Sequence, residues 1–409
     1  MAQLDKEVAS VPDSYDLRPN VFAQITRSEW ENWRWQQQRA LRRADQLRSF
    51  YPNISGKYVT TAEEWERRGY RFYITPYMMS VFPRDAQGHP LLDAPVAKQF
   101  FPSSEMLCDL GHNCPDEYVP TNENWEVDEE MLSPIGQKKY DNRMLVFTAD
   151  SCLAYCTYCL RSLQVDQASE RHGGLTHWQK TLEALKHSPD IEEVILSGGD
   201  ALVLSNKNLE ELLRAIRAIP TVRSIRINTR AFTHNPYRID NDLCALLKKY
   251  EVNVVSLHIT HPDEVTPDLI KRVDMVHAFG AKTMMLAQIP LNKGVNDDDA
   301  VLRKLFMDLY VAGVKPYYLL HTMPNIPAAR AQRTSVRKGV ELMNKISRRI
   351  SHPAMPEYII VHKTGKKTVP SEIDGTQEFK YEKDETGWPV IRFKNWQGEW
   401  QTYLDGVDA

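Results

Sequence analysis

From Met144 onward the chain alternates between two hydrophobic rhythms, and this alternation restricts its fold more than any other feature. Short apolar, β-branched runs recur: MLVFTA (144–149), EEVILSGG (192–199), SIRINTR (224–230), NVVSLHI (253–259), KTMMLAQIP (282–290) and KPYYLLHT (315–322). Amphipathic segments such as NKNLEELLRAIRAI, NDLCALLKKY, PDLIKRVDMVHAF and DDDAVLRKLFMDLYVAG separate them. Strands joined through helices cross over with one hand, which builds a parallel sheet with helices outside. Six units are too few for a closed eight-unit barrel. A partial, open barrel and a doubly wound sheet both fit the spacing. A seventh strand-like run, EYIIVH (357–362), follows a helix at about 335–350 and leads into the basic loop KTGKKTVP. The final stretch, YEKDETGWPVIRFKNWQGEWQTYL, reads as a hairpin with a Gly turn.

Ahead of this rhythm, SEWENWRWQQQRALRRADQLRSFY carries apolar residues at Trp30, Trp33, Leu41, Ala44, Leu47 and Tyr51. That is close to a helical stripe, with Ser28 able to cap its start. Residues 82–134 are rich in Pro, Asn and acids and read as a long irregular connection. Cys108 and Cys114 sit in it without metal-site spacing and read as ordinary thiols. With 42% apolar and 26% charged residues the chain is globular, and its net charge of -3 gives no reason to expect a nucleic acid or an acidic membrane as partner. It has no spanning apolar run and no signal-peptide layout, so a cytoplasmic location is expected. In that compartment clustered cysteines are metal ligands or reactive thiols rather than disulfides.

Chemistry in parallel α/β sheets sits at the C-terminal ends of strands. Here those ends carry Cys152, Cys156 and Cys159, then SGGD (Ser197–Asp200), Asn228 and Arg230, His258 and His261, Gln288, and His321. The cysteines follow the first strand as C-x3-C-x2-C. Structural zinc usually takes four ligands, and a four-iron, four-sulfur cluster is usually held by four cysteines. Three thiolates leave one iron of such a cluster open to a small molecule.

This spacing resembles the signature of the radical SAM enzymes, in which S-adenosylmethionine (SAM) chelates the open iron and is cleaved to a 5′-deoxyadenosyl radical. SGGDAL after the second strand is similar to that superfamily's glycine-rich motif for the methionyl amino group, with Asp200 as an added acceptor. The resemblance narrows to the lysine 2,3-aminomutase family over about Ser28 to Pro370. It is carried by WENWRWQ, YITPYMMS, SPIGQKKYDNRMLVFTADSCLAYCTYCLR, ILSGGDAL, THPDEVT, GVND and QRTSVRKGVEL. It implies a partial (β/α)6 radical SAM barrel at 136–325, an N-terminal helical region and connection at 1–135, and a C-terminal segment at 326–409 that anchors pyridoxal phosphate (PLP).

The resemblance also implies roles. Cys152, Cys156 and Cys159 would hold a [4Fe-4S] cluster, and Ser197, Gly198, Gly199 and Asp200 would meet SAM, with Arg230 and His258 near it. Lys139, Tyr140 and Arg143 would grip the PLP phosphate, a set suited to a dianion. Gln288 falls on the cofactor side, and Arg161 would hold the substrate α-carboxylate. The PLP lysine falls in VHKTGKKTVP, a loop shorter and poorer in glycine than the family's. Lys367 is the better match and Lys366 nearly as good.

Lysine-specific members clamp the substrate ammonium with two aspartates, and the matching positions here are Met323 and Val361. A buried ammonium without a carboxylate is costly, so the expected substrate is not lysine. Met323 and Val361 suit a neutral or apolar group. His321, Arg330, His362 and Lys363, nearby in sequence, suit an acidic one, and both options stay open. An interfacial zinc site is not expected, because Asp298 replaces a cysteine and none follows Cys244. The implied function is PLP-dependent migration of an L-α-amino acid's amino group to the β-carbon. Its alternative is a diverged enzyme that consumes SAM in deamination, dehydrogenation or epimerisation. An electron donor such as flavodoxin or ferredoxin and a homodimer complete the implied partners.

Overall fold

Every strand expected from the alternation is present, in one sheet. The computed structural model describes residues 13–108, 131–159, 175–280, 282–324, 326–347, 349–362, 365–370, 379–395 and 398–406. Two short strands, β1 (Met131–Ser133) and β2 (Gly136–Lys139), lead into β3 (Arg143–Ala149). β4 (Glu193–Gly198), β5 (Ser224–Thr229), β6 (Val254–His258), β7 (Met284–Leu291), β8 (Lys315–His321) and β9 (Glu357–His362) follow. Helices Leu175–Lys186, Asn206–Arg217, Asn241–Lys249, Pro267–Ala278, Asp299–Val311 and Val336–Ser347 carry the crossovers. β3 to β9 pair in parallel, and their order in the sheet follows chain order. A doubly wound sheet reverses its strand order at a switch point. Here every crossover steps the same way, which is the curl of a barrel, so the doubly wound alternative is removed.

The segment expected to be a basic loop after β9 is instead a strand, β10 (Gly365–Thr368), antiparallel to β9. The β2–β3 turn meets the last strand of the sheet, β10, through Tyr140. Its hydroxyl accepts a hydrogen bond from the Lys366 backbone N–H at 2.8 Å. Gly365 has φ +123°, and a Cβ there would lie 2.9 Å from the Tyr140 ring, so glycine permits this contact.

The main core lies between sheet and helices. The outward residues Met144, Val146, Val194, Leu196, Ile225 and Ile227 pack there against Leu209, Leu213, Leu243 and Val273. A second core lies in the N-terminal region, where Leu41, Trp65, Phe72, Phe82, Phe100 and Phe101 gather with Ala154 of the cysteine loop. The single helix expected from the aromatic stripe is broken into short turns at Arg27–Trp30, Trp33–Gln38 and Leu47–Phe50. Its cap is Thr26 rather than Ser28, in a reciprocal capping box with Glu29. Asn32 then restarts the helix by accepting from the Arg34 and Trp35 N–H groups, the competition with backbone pairing typical of Asn. Leu41 bridges to Ile74 instead of continuing a helix. The expected C-terminal hairpin is a three-stranded meander, β11 (Phe379–Lys383), β12 (Pro389–Lys394) and β13 (Trp400–Leu404). No described helix is long and apolar enough to cross a membrane.

Candidate active site

The cysteine loop starts at the end of β3 and is pinned from three sides. Leu153 is fully buried in the barrel core and Ala154 in the N-terminal core. Thr157 donates its N–H to Gln99 O at 2.8 Å and its hydroxyl to Lys98 O at 3.0 Å. On the third side stands the glycine turn after β4. Gly199 N–H donates to Ala149 O at 2.7 Å, and Asp200 N–H to Ser151 O at 3.0 Å. A Cβ on Gly199 would lie 2.1 Å from Ser151 O, and Gly198 has φ +103°. The two glycines therefore let the strand end lie against the cysteine loop itself.

Asp200 is buried, and its carboxylate accepts from Leu202 N, Thr229 Oγ1 and Arg230 N at 2.7–3.1 Å. Its oxygens are thus occupied by protein, tying β4 to β5. These three donors take up most of its acceptor capacity in this arrangement.

Arg230 is also buried. It donates to Tyr158 Oη at 2.6 Å, and to Gln99 Oε1 and Glu264 Oε1 at 2.7 Å each. Glu264 accepts in addition from Gln99 Nε2 and the N–H groups of Thr260 and His261. This network joins the cysteine loop, through Tyr158, to the N-terminal region and to β6. A buried charge that loses its partner is strongly destabilising. Glu264→Gln is expected to cost roughly 3 kcal/mol of stability, measured by urea denaturation, and to loosen the loop that carries Tyr158.

One cavity of about 300 Å³ gathers Cys152, Cys156 and Cys159, Ser197 to Asp200, Arg230, His258, Gln288, Met323, Val361 and Lys366. The cysteines are half-buried and in no disulfide. Among the described residues no three His, Cys, Asp or Glu side chains converge as single-ion ligands. Three thiols spread around one cavity mouth fit a cluster, which takes thiolates on separate irons. Arg161 and Lys363 lie outside the described residues, as does Cys114.

Strand alternation places Lys366 and Lys367 on opposite faces of β10. In β10, Lys366 is the register partner of Val361, and both line the cavity. Lys367 is not among the lining residues; its side chain leaves from the opposite face. Lys366 is exposed, yet it lines the cavity, and that enclosure weighs on its ionisation. That enclosure, with the charges of Arg226 and Arg143, pushes its ammonium down to about 8. Its Nζ lies 4.5 Å from the centroid of the Tyr318 ring. The neutral amine is the nucleophile, so reaction of Lys366 with an aldehyde is expected to be half-maximal near pH 8, against above 10 for an ordinary lysine. A pH series of reductive labelling with peptide mapping measures this.

Below the lysine, Arg143 and Arg226 share one carboxylate. Arg226 donates to Glu193 Oε1 at 2.7 and 3.0 Å, and Arg143 Nε lies 3.7 Å from Glu193 Oε2. Arg143 also stacks over Tyr140. Two guanidiniums against one carboxylate leave net positive charge, the setting an anion needs. Lys139, on β2, is half-buried and not among the lining residues. Gln288 donates to Ser256 Oγ at 3.0 Å. His258 is held neutral, pushed down to about 3 by burial and by Arg230 and Lys366. His321 has both ring nitrogens engaged, with Tyr403 Oη and Thr334 O. His362 is buried on the opposite face from Val361, edge-on to Phe393.

Tyr158 and Asn228 line the cavity and Arg226 acts on Lys366 by its charge; sequence reasoning placed Asn228 at a strand end and gave Tyr158 and Arg226 no role. Asn228 Oδ1 is buried in the cavity wall without a partner. A signal existed: SIRINTR alternates polar Ser224, Arg226 and Asn228 with apolar Ile225 and Ile227, whereas strands buried on both faces read as unbroken apolar runs.

Residues 146–303 match the Radical SAM superfamily. The chain is 30% identical to L-lysine 2,3-aminomutase of Fusobacterium nucleatum subsp. nucleatum, over 85% of this chain and 78% of that protein. The chain belongs to the lysine 2,3-aminomutase family of radical SAM enzymes. A putative L-lysine 2,3-aminomutase of Aquifex aeolicus is 31% identical over 85% of this chain and 90% of its own length. The family's relatives also include a glutamate 2,3-aminomutase of Clostridioides difficile, 27% identical over 84% of this chain and 77% of that protein. Membership makes the chain an enzyme of the isomerase class and implies a four-iron, four-sulfur cluster and SAM. The three cavity thiols and the glycine turn packed on them fit both groups.

Proposed function

We propose that this aminomutase depends on PLP and moves the amino group of an L-α-amino acid from Cα to Cβ. The observation that carries the reading is that Lys366 and the three cysteines line one cavity. When bound, the cluster with SAM supplies a radical able to take hydrogen, and PLP supplies the π-system that carries nitrogen. The protein's part is holding and orienting.

Cys152, Cys156 and Cys159 hold the cluster, and Ser197, Gly198 and Gly199 present backbone to SAM beside it. His258 and Arg230 border that region, one a neutral ring and the other a fixed charge. Lys366 anchors PLP, a choice of this residue over Lys367 that rests on its cavity-facing position. Tyr140 steadies it by accepting the Lys366 N–H. Arg143 and Arg226, with Lys139 near them in β2, offer positive charge to the phosphate. Gln288, oriented by Ser256, and the unpartnered Asn228 Oδ1 offer polar contacts above it. Arg161 is proposed for the substrate carboxylate on the sequence resemblance alone.

The test is anaerobic reconstitution with iron, sulfide, SAM and PLP, followed by incubation with a panel of amino acids and chromatographic search for β-isomers. A β-isomer formed with SAM recovered intact is the expected result. Net 5′-deoxyadenosine in step with product transfers the chain to the reading in which SAM is consumed. Failure to retain PLP, with no β-isomer from any amino acid, rejects the proposal.

A further inference from the structure

The cavity has a radical-source end at the cysteine loop and an anchoring end at Lys366, and the wall between them is apolar. Val361 stands directly across from Lys366 in the β9–β10 register, so the two side chains share a face. Met323, in the loop after β8, forms one buried cluster with Tyr158, Ile326 and Ala329. Val361 and Cys156 both pack against that cluster. The wall is therefore continuous from the lysine to the cysteine loop.

Apart from Lys366, taken here as the PLP anchor, the charged groups around it are committed elsewhere. Asp200 is the only carboxylate among the described lining residues, and its oxygens accept from Leu202, Thr229 and Arg230. Both terminal nitrogens of Arg230 are engaged and its Nε, without a partner, is buried away from the cavity surface, while both nitrogens of His321 are engaged. The neutral polar groups Asn228, Ser256 and Gln288 belong to β5, β6 and β7, not to the wall formed by β9 and the loop after β8. A charged side chain against this wall would lose water and find no free counter-charge among these residues, whereas an apolar one gains from burial.

We infer that the substrate is an α-amino acid with an uncharged, apolar side chain, aliphatic or thioether. Met323, Ile326 and Val361 are the residues that select it. The inference rests on the aminomutase reading, because it takes Lys366 as the end at which the substrate amino group is held.

The experiment measures β-isomer formation by the reconstituted holoenzyme from norleucine, lysine, glutamine and glutamate, which share a similar reach and differ in polarity and charge. Norleucine is expected to exceed each of the others in kcat/KM by tenfold or more. Equal or better turnover of lysine, glutamine or glutamate overturns the inference and leaves the aminomutase reading standing. No β-isomer from any of these or from the wider panel rejects that reading itself, and the inference with it. Met323→Asp holoenzyme that retains iron and PLP is expected to shift its preference toward lysine by at least tenfold. An unchanged preference in that loaded variant removes Met323 from the selecting wall. If the variant does not load, the wild-type panel decides alone.

Discussion

Lys366→Ala protein is expected to lose bound PLP and at least about a thousandfold in turnover, whereas Lys367→Ala keeps both within a few-fold. The two residues are neighbours with the same chemistry, so the contrast isolates direction. Lys366 shares the cavity face with Val361, and Lys367 leaves β10 from the other side. Reduction of the PLP-loaded wild type with borohydride, then peptide mass spectrometry, gives the same answer without a mutation. Label on Lys366 alone is the expected outcome. Label on Lys367 would refute the assignment and require β10 to slip by one residue, since a one-residue slip exchanges the two faces of a strand.

The second large effect is expected at Gly199. Adding one methyl group there sets a carbon 2.1 Å from Ser151 O, well inside contact distance and against backbone that cannot swing aside. Gly199→Ala is expected to cost about 3 kcal/mol or more of stability, in the range of overpacked and strained sites. It also forces the cysteine loop away from β4, so iron bound per chain after reconstitution falls steeply. Gly280→Ala is the control. It sits at a positive φ of +70°, a backbone strain that Gly199 does not have, but meets only the flexible end of Lys248 at 3.7 Å, so it is expected to keep full iron content. Iron analysis and thermal denaturation of both variants separate loss of the loop from general backbone strain. Equal iron content in the two would show that the close approach is dispensable.

The barrel strands were legible because each is a short apolar run closed by a polar end, a signal contained within a few residues. The cysteine triplet and the glycine turn were legible for the same reason. What was hidden depended on partners distant in sequence. The aromatic stripe at Trp30 to Tyr51 has helical spacing, yet Asn32 offers its side chain to the backbone and Leu41 finds Ile74, so the helix breaks. The choice between Lys366 and Lys367 needed the β9–β10 register, which no local pattern supplies. Asp200 looked like a free acceptor, and most of its capacity is taken up once Thr229 and the Arg230 N–H come alongside. Arg226 passed unnoticed because its meaning lies in facing Arg143 across Glu193.

The order of the strands has a consequence for how such an enzyme can diversify. The parts proposed to make the radical come from β3 and β4, at the start of the sheet, and those proposed to choose the substrate come from β8, β9 and the loop between them. They belong to separate stretches of chain, which touch where Tyr158 and Cys156 of the cysteine loop pack with Met323. Exchanges at 323 or 361 can therefore change what enters while the glycine turn and its cysteine loop stay as they are. A scaffold partitioned in this way can explore new metabolites without putting its most oxygen-sensitive and least forgiving chemistry at risk.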